Sequence, residues 1–389
     1  MVRTLTIAIL VRMKVFIFFI ASALLLAPNF AVAQISEDIP LSVERQYLEK
    51  ARVLEATPST ERIIEGTTIT TKTQTITVEV LEGIEVGTIA TFENDFTQVK
   101  AGELIYVRHS TGGFDPDTWS VSDPYRLHVL GAVLVVFIIL VCIFGGIQGI
   151  RGFVSLIGSL FLIFYLLIPA IYTGSSPILV SIGVASLIII VGSYVTHGVS
   201  RTTTSAMLGM ILTVIVTGIA TYLVIDLASL SGFTSEINVY LNFGTDGRIS
   251  MIGLLFGGIM IGLLGVLYDI AIGQAVAVEE LYRASATYTQ KEVYVRALRI
   301  GREHIGALIN TLAIAYVGAS LPLLLLFQQS TVSIGYVING EIFATEIIRI
   351  LMGSIGLILA VPVTTLIASL VLSHAHVMKK AKSITSHTH

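Results

Sequence analysis

The sequence predicts a mainly α fold: a seven-helix transmembrane bundle preceded by a small exported β-rich, barrel-like domain. Three observations carry this. Of the 389 residues, 54% are hydrophobic and only 13% charged, where a soluble domain has about 45–50% and about 25%. Apolar runs of spanning length recur from residue 127 onward, and mean hydropathy is +0.86. Between 34 and 125 the composition turns polar and apolar residues alternate with a period of two. With so few charges the chain cannot cover a water-soluble particle of its length, so lipid must be the solvent for most of it.

In chain order, the first element reads as an export signal, residues 1–33. Met13-Lys14 supplies charge, Val15 to Ala27 an apolar stretch of signal length, and Ala31-Val32-Ala33 a small-residue cleavage site. Met13 serves equally well as a start, and an uncleaved anchor is the alternative; either one exports the chain from residue 34 onward. Residues 34–125 are expected to form an extracytoplasmic domain. Ser42 to Glu55, rich in charges of both signs, reads as a short helix. Thr75 to Val80 alternates and puts Ile76, Val78 and Val80 on one face of a strand; Gly87 to Phe92 and Leu104 to Val107 come next as further strands around turns at Gly83 and Gly102. A lone hairpin is marginal, so these pieces imply a small twisted barrel or curled sheet. No catalytic constellation stands in it.

The membrane domain, 126–373, is expected to hold spans at about 127–147, 154–173, 177–197, 206–229, 249–268, 305–327 and 348–372, each near the roughly 20 apolar residues needed to cross about 30 Å. Residues 374–389 form a basic, histidine-containing tail. Seven spans after an exported domain leave the C-terminus inside a bacterial cytoplasmic membrane. Charge agrees. The loops then cytoplasmic carry Arg151, Arg201, Arg283, Lys291, Arg296, Arg299, Arg302, Lys379, Lys380 and Lys382, against Arg248 and Arg349 outside.

Ionisable residues at membrane depth cost at least about 2.5–3.5 kcal/mol at a helix centre, so each needs a reason. The richest segment is 262–281, where Asp269, Gly273, Val276 and Glu280 share one helical face. Asp269 reads either as a cation or proton site, with Gln274 and Glu280 as companions, or as a residue of the inner boundary. A helix over 249–283 would be about 50 Å long, so it either protrudes or breaks near Gly265 or Gly273. Asp226 reads as interfacial and Asn310 as an interhelical hydrogen-bonding residue. Gly253, Gly257, Gly258, Gly262 and Gly265 form the small-residue pairs 253/257 and 258/262, suited to close helix packing. Pro362 is expected to kink the seventh span. Tyr288 to His304 is basic and partly amphipathic, placed along the inner membrane surface.

Several classes drop out. A net charge of −3 offers no field for nucleic acid. The single cysteine, Cys142, builds no disulfide framework, and no cysteine or histidine cluster has zinc spacing. No nucleotide-binding loop occurs, and no metal or cofactor is expected. An intramembrane enzyme lacks its second catalytic group: Tyr268-Asp269 has no Gly-x-Gly-Asp partner, and no His-Glu-x-x-His occurs. Two readings remain. One is a secondary transporter or channel-like permease for a small solute or ion. The other is a non-transporting envelope protein whose β module docks an extracytoplasmic protein partner. Oligomeric state stays open.

Ordered fragments add a family. Val80-Leu-Glu-Gly83, Gly102-Glu-Leu-Ile-Tyr-Val107, Arg151-Gly152, Leu167-Ile-Pro-Ala-Ile-Tyr-Thr-Gly174, Thr196-His-Gly-Val-Ser200, Ala206-Met-Leu-Gly209, Ile261-Gly-Leu-Leu-Gly-Val-Leu-Tyr-Asp269, the run Asn310 to Pro322 and the run Gly353 to Pro362 make the chain resemble the YibE/F family of bacterial membrane proteins over roughly 75–372. The resemblance implies a multi-span fold with an exported N-terminal β module. It also places Asp269 on the acidic position of the family's Gly-Val-Leu-x-Asp pattern. Tyr268 stands where many relatives carry a second acid, which argues against a paired-carboxylate mechanism.

Overall fold

A computed structural model of the chain describes residues 45–63, 70–111, 117–285, 287–328 and 332–385. The expected signal segment and the side chains of the histidine-containing tail lie outside them. The described chain divides into two compact units, up to Phe144 and from Gly145 onward.

The first unit is an antiparallel sheet of β1 (Arg45–Ala56), β2 (Thr60–Ile63), β3 (Thr70–Glu82), β4 (Ile89–Asn94), β5 (Leu104–Thr111) and β6 (Thr118–Pro124). Strand order is β2-β3-β1-β5-β6, with β4 added to β3. Contacts between β4 and β6 curl the sheet toward closure. Alternation builds its core: Ala51, Val53, Ile76, Val78, Ile105 and Val107 are essentially fully buried, on the period-two face that each strand turns inward.

The expected helix over Ser42 to Glu55 is corrected, since Arg45–Ala56 is a strand. Its charged residues are good helix formers, but Ala51 pairs with Val80 on one side and Ile105 on the other, and such pairing overrides weak local propensity. The cost is one inward acid. Glu49 is 2% exposed, and its Oε1 accepts from the backbone N–H groups of Ile84 (2.7 Å) and Glu85 (3.1 Å). Gly83 lets that turn close: its φ is +129°, and a Cβ there would stand 2.7 Å from the Glu49 side chain.

The helices are α1 (Leu127–Tyr172), which begins within the first unit, and then α2 (Pro177–His197), α3 (Arg201–Leu227), α4 (Glu236–Gly244), α5 (Met251–Ala284), α6 (Gln290–Ala319), α7 (Leu321–Gln328), α8 (Ile334–Asn339) and α9 (Glu341–Thr385). Five of them, α1, α2, α3, α5 and α9, are long and apolar enough to cross a membrane, and the bent pair α6–α7 makes a sixth candidate. The expected spans 127–147 and 154–173 are one 46-residue helical run. It is interrupted at Gly146, whose φ of 54° and ψ of −143° are non-helical. A second irregularity, the π turn Ile163–Leu167, precedes Pro169, which lacks an N–H to donate.

The expected span 305–327 is a helix pair bent by 64° at Ser320. Pro322 explains the break, because it has no N–H to donate to the Gly318 carbonyl four residues back and its ring crowds that carbonyl. By contrast, α9 continues as helix through Pro362. The segment 249–283 breaks at neither Gly265 nor Gly273; α5 is continuous over 34 residues.

Helices α5 and α9 form the centre of the bundle. The first packs on α2, α3, α6 and α9, the second on α3, α5 and α6. Phe256, Met260, Leu263 and Leu267 of α5 are fully buried, as are Met210 and Val214 of α3 and Leu357 and Val361 of α9. At one end, Glu341 clasps the loop after α3 by accepting from the backbone N–H groups of Ser231 (2.8 Å) and Gly232 (2.7 Å).

Candidate functional site

The site is built on α5, whose two faces meet different surroundings. Ser250 caps the helix by accepting from the Gly253 N–H. Gly253 and Gly257, one turn apart, face Pro177 and Ser181 of α2, also one turn apart. The absent side chains let these helices meet nearly backbone to backbone. Farther along, Tyr268 reaches α2 again. Its hydroxyl donates to the Ile189 carbonyl (2.9 Å) and accepts from Ser193 (3.2 Å), and Gly192 leaves the ring room.

Gln274 anchors the same helix to two others. It is 3% exposed. In the amide orientation that satisfies both of its ends, its nitrogen donates to the Ala297 carbonyl (3.2 Å) and the Thr365 hydroxyl (2.9 Å), and its oxygen accepts from the Gly301 N–H (3.2 Å). The Thr365 hydroxyl in turn donates to the Val361 carbonyl (2.6 Å). A Cβ on Gly301 would stand 2.6 Å from Val361 and displace Gln274. Gln274 therefore ties α5, α6 and α9 together.

The other face is open. Gly258, Gly262, Gly265, Asp269 and Gly273 are all exposed and recur at helical spacing. A Cβ at Gly258, Gly265 or Gly273 would meet nothing within 4 Å, while Gly262 touches the Tyr316 hydroxyl of α6. Asp269 makes no hydrogen bond or ion pair among the described residues. The result is a smooth glycine-floored strip with a single carboxylate in it.

Thr202, beside Arg201 at the start of α3, donates its hydroxyl to Glu279. From Met251 to Glu279 the helix rises about 42 Å, a length comparable to a bilayer with its headgroup layers, about 40–45 Å. Asp269 lies about 15 Å from Glu279 along the axis.

The companions expected for Asp269 are placed apart from it. Gln274 is buried on the opposite side of α5. Glu280 shares the face, but its carboxylate is paired with Arg283 at 2.9 Å. Asp226 is exposed near the far end of α3, where its carbonyl accepts from the Ser229 N–H. Asn310 is exposed on α6. Gln274 opposite Gly301 and Gly262 beside Tyr316 set an antiparallel register, which brings Asn310 within about one helical turn of the Asp269 level.

Two polar features escaped sequence reasoning. At the α6–α7 bend, Glu346 pairs with Arg349 at 2.7 Å and accepts from Ser320 at 3.3 Å, and Arg349 lies over the Tyr316 ring. Along the α3–α9 seam, Thr213, Thr217, Thr221, Thr345, Thr364 and Thr365 are fully buried. The hydroxyls of Thr217, Thr221, Thr345 and Thr364 have no partner among the described residues. The signal for the seam was present, since Thr213, Thr217 and Thr221 repeat every four residues.

The sequence profile of the YibE/F-like protein family matches residues 133–374, well over half of the chain. No curated protein and no solved structure matches it. This chain belongs to the YibE/F-like family, and together with its apolar helices that marks it as a membrane protein.

Proposed function

We propose that the protein is a secondary transporter or channel-like permease for a small solute or cation, with Asp269 as the group that takes the cation or proton. One observation carries the reading: an unpaired carboxylate stands on an open glycine face of a helix long and apolar enough to cross a membrane. An ionisable group within a membrane-spanning helix is costly and is a functional-site candidate by default. The glycines on both sides keep the approach free of side chains. Asn310, near the same level on α6, would supply a neutral polar group.

The reading includes a topology. Gln148 donates to the Thr196 carbonyl at 3.2 Å, so the Gly146 interruption falls at the same end of the bundle as His197 and Arg201. Either side of Gly146, α1 has enough residues to cross on its own. Counting α1 as two passes and α6–α7 as one yields seven, with the β unit extracytoplasmic and the C-terminus cytoplasmic. The reading places the protein in a bacterial cytoplasmic membrane and assigns it no catalytic role.

Purified protein in proteoliposomes should pass a cation or a cation-coupled solute, and Asp269→Asn should abolish that flux while leaving the melting temperature unchanged. Flux indifferent to the substitution would remove Asp269 from the mechanism. A second reading, an envelope assembly platform, is favoured by the β2–β3 hairpin, whose β2 residues are all exposed. Deleting residues 34–120 would then abolish function with the membrane part still folded.

A further inference from the structure

We infer that the first three turns of α6 form a binding site for the phosphate of an anionic lipid headgroup, held by Lys291, Arg296 and Arg299. These side chains and Val295 line a groove of about 420 Å³. Three features point to an anion rather than to a solvated basic surface.

First, none of the three cations closes an ion pair among the described residues. Arg296 instead lies over the Tyr288 ring, 4.5 Å from its centroid. The one acid in the groove, Glu292, accepts from both the N–H (2.8 Å) and the hydroxyl (2.9 Å) of Thr289, and it interacts with the Arg296 charge without closing an ion pair with it. Second, the three cations are exposed together on the same stretch of helix, with Lys291 in the first turn, where the partial positive charge of the helix end disfavours a cation. Their mutual repulsion is relieved when an anion arrives.

Third, the height of the groove selects the occupant. The pairing of Gln274 with Gly301 sets Arg296 level with Glu279, the residue that takes the Thr202 hydroxyl beside Arg201. The groove therefore opens in the headgroup layer. Below it α6 continues without a break into its apolar half, so the basic segment 288–304 extends the span upright instead of lying along the surface. Val295, 55% exposed between the cations, offers an apolar patch to the glycerol and upper acyl region. A soluble polyanion would have to reach past lipid to fill the groove; a lipid phosphate is already there.

The test uses the full-length protein in nanodiscs of phosphatidylcholine with a minor fraction of phosphatidylglycerol, and counts retained lipids by native mass spectrometry after detergent release. The parent should keep phosphatidylglycerol. The triple change Lys291→Gln, Arg296→Gln, Arg299→Gln should weaken retention by on the order of 100-fold, about fivefold per cation near the surface. The charge-conserving Arg296→Lys, Arg299→Lys pair should retain most of the binding, which separates loss of charge from misfolding. Arg302→Gln, outside the groove, should change little. Equal retention by the triple variant, or equal loss with Arg302→Gln, would overturn the proposal. So would full displacement of the lipid by millimolar inorganic phosphate, which would show a site for the free anion.

Discussion

The two faces of α5 carry the same residue in opposite circumstances. Gly253 and Gly257 are closed against Pro177 and Ser181, while Gly258 and Gly265 face nothing. On the closed side glycine acts by absence of volume, letting two helices approach. On the open side it leaves a smooth strip around Asp269. The closed face also carries Gln274, every polar atom of which is matched; the open face carries Asp269, which is matched by none of the described residues. One helix thus separates the part that holds the bundle together from an exposed strip that carries a single carboxylate.

That contrast can be broken by substitution. The largest effect is expected at Gly253→Leu. Its Cβ would already press the Pro177 ring at 3.0 Å, and a proline ring cannot rotate away. Overpacking of this kind costs about 1–3 kcal/mol, read as a lower melting temperature in detergent. Next is Gln274→Leu, which removes the bridge among α5, α6 and α9 and should cost about 0.5–1.5 kcal/mol, the net worth of a buried hydrogen bond. Cysteine pairs across α6 and α9 should then cross-link more slowly. A smaller loss, within about 1 kcal/mol, is expected for Glu341→Gln. The change weakens the clasp on Ser231 and Gly232, and hydrogen exchange at those two amides should rise. Smallest is Gly265→Ala on the open face, within about 0.5 kcal/mol. A large destabilisation there would mean that the strip is covered, and would sharpen the question of by what.

Much of this was legible beforehand because periodicity is local. The alternation of Ile76, Val78 and Val80 predicted a buried strand face, and all three are 1% exposed or less. Apolar runs located α2, α3, α5 and α9. The failures share a cause. Ser42 to Glu55 has helix-forming composition, yet its fate was set by strands β3 and β5 that lie far along the chain. The pairs 253/257 and 258/262 look alike in sequence, yet the first meets α2 while the second meets Tyr316 on one side and open space on the other. Asp269 and Gln274 seemed companions because they are near in sequence, but five residues at 100° each put them on well-separated faces.

The amino-acid order alone determined that lipid is the solvent, where the chain turns from β to α, and which residues share a helical face. Those properties depend on composition and on the fixed geometry of a helix or strand. Only the tertiary structure decided which face of α5 is covered, that Gln274 bridges three helices, and that the chain bends at Ser320 and at Gly146. A helix specifies the direction in which each side chain leaves its axis, but the surroundings it meets there are supplied by residues tens to hundreds of positions away.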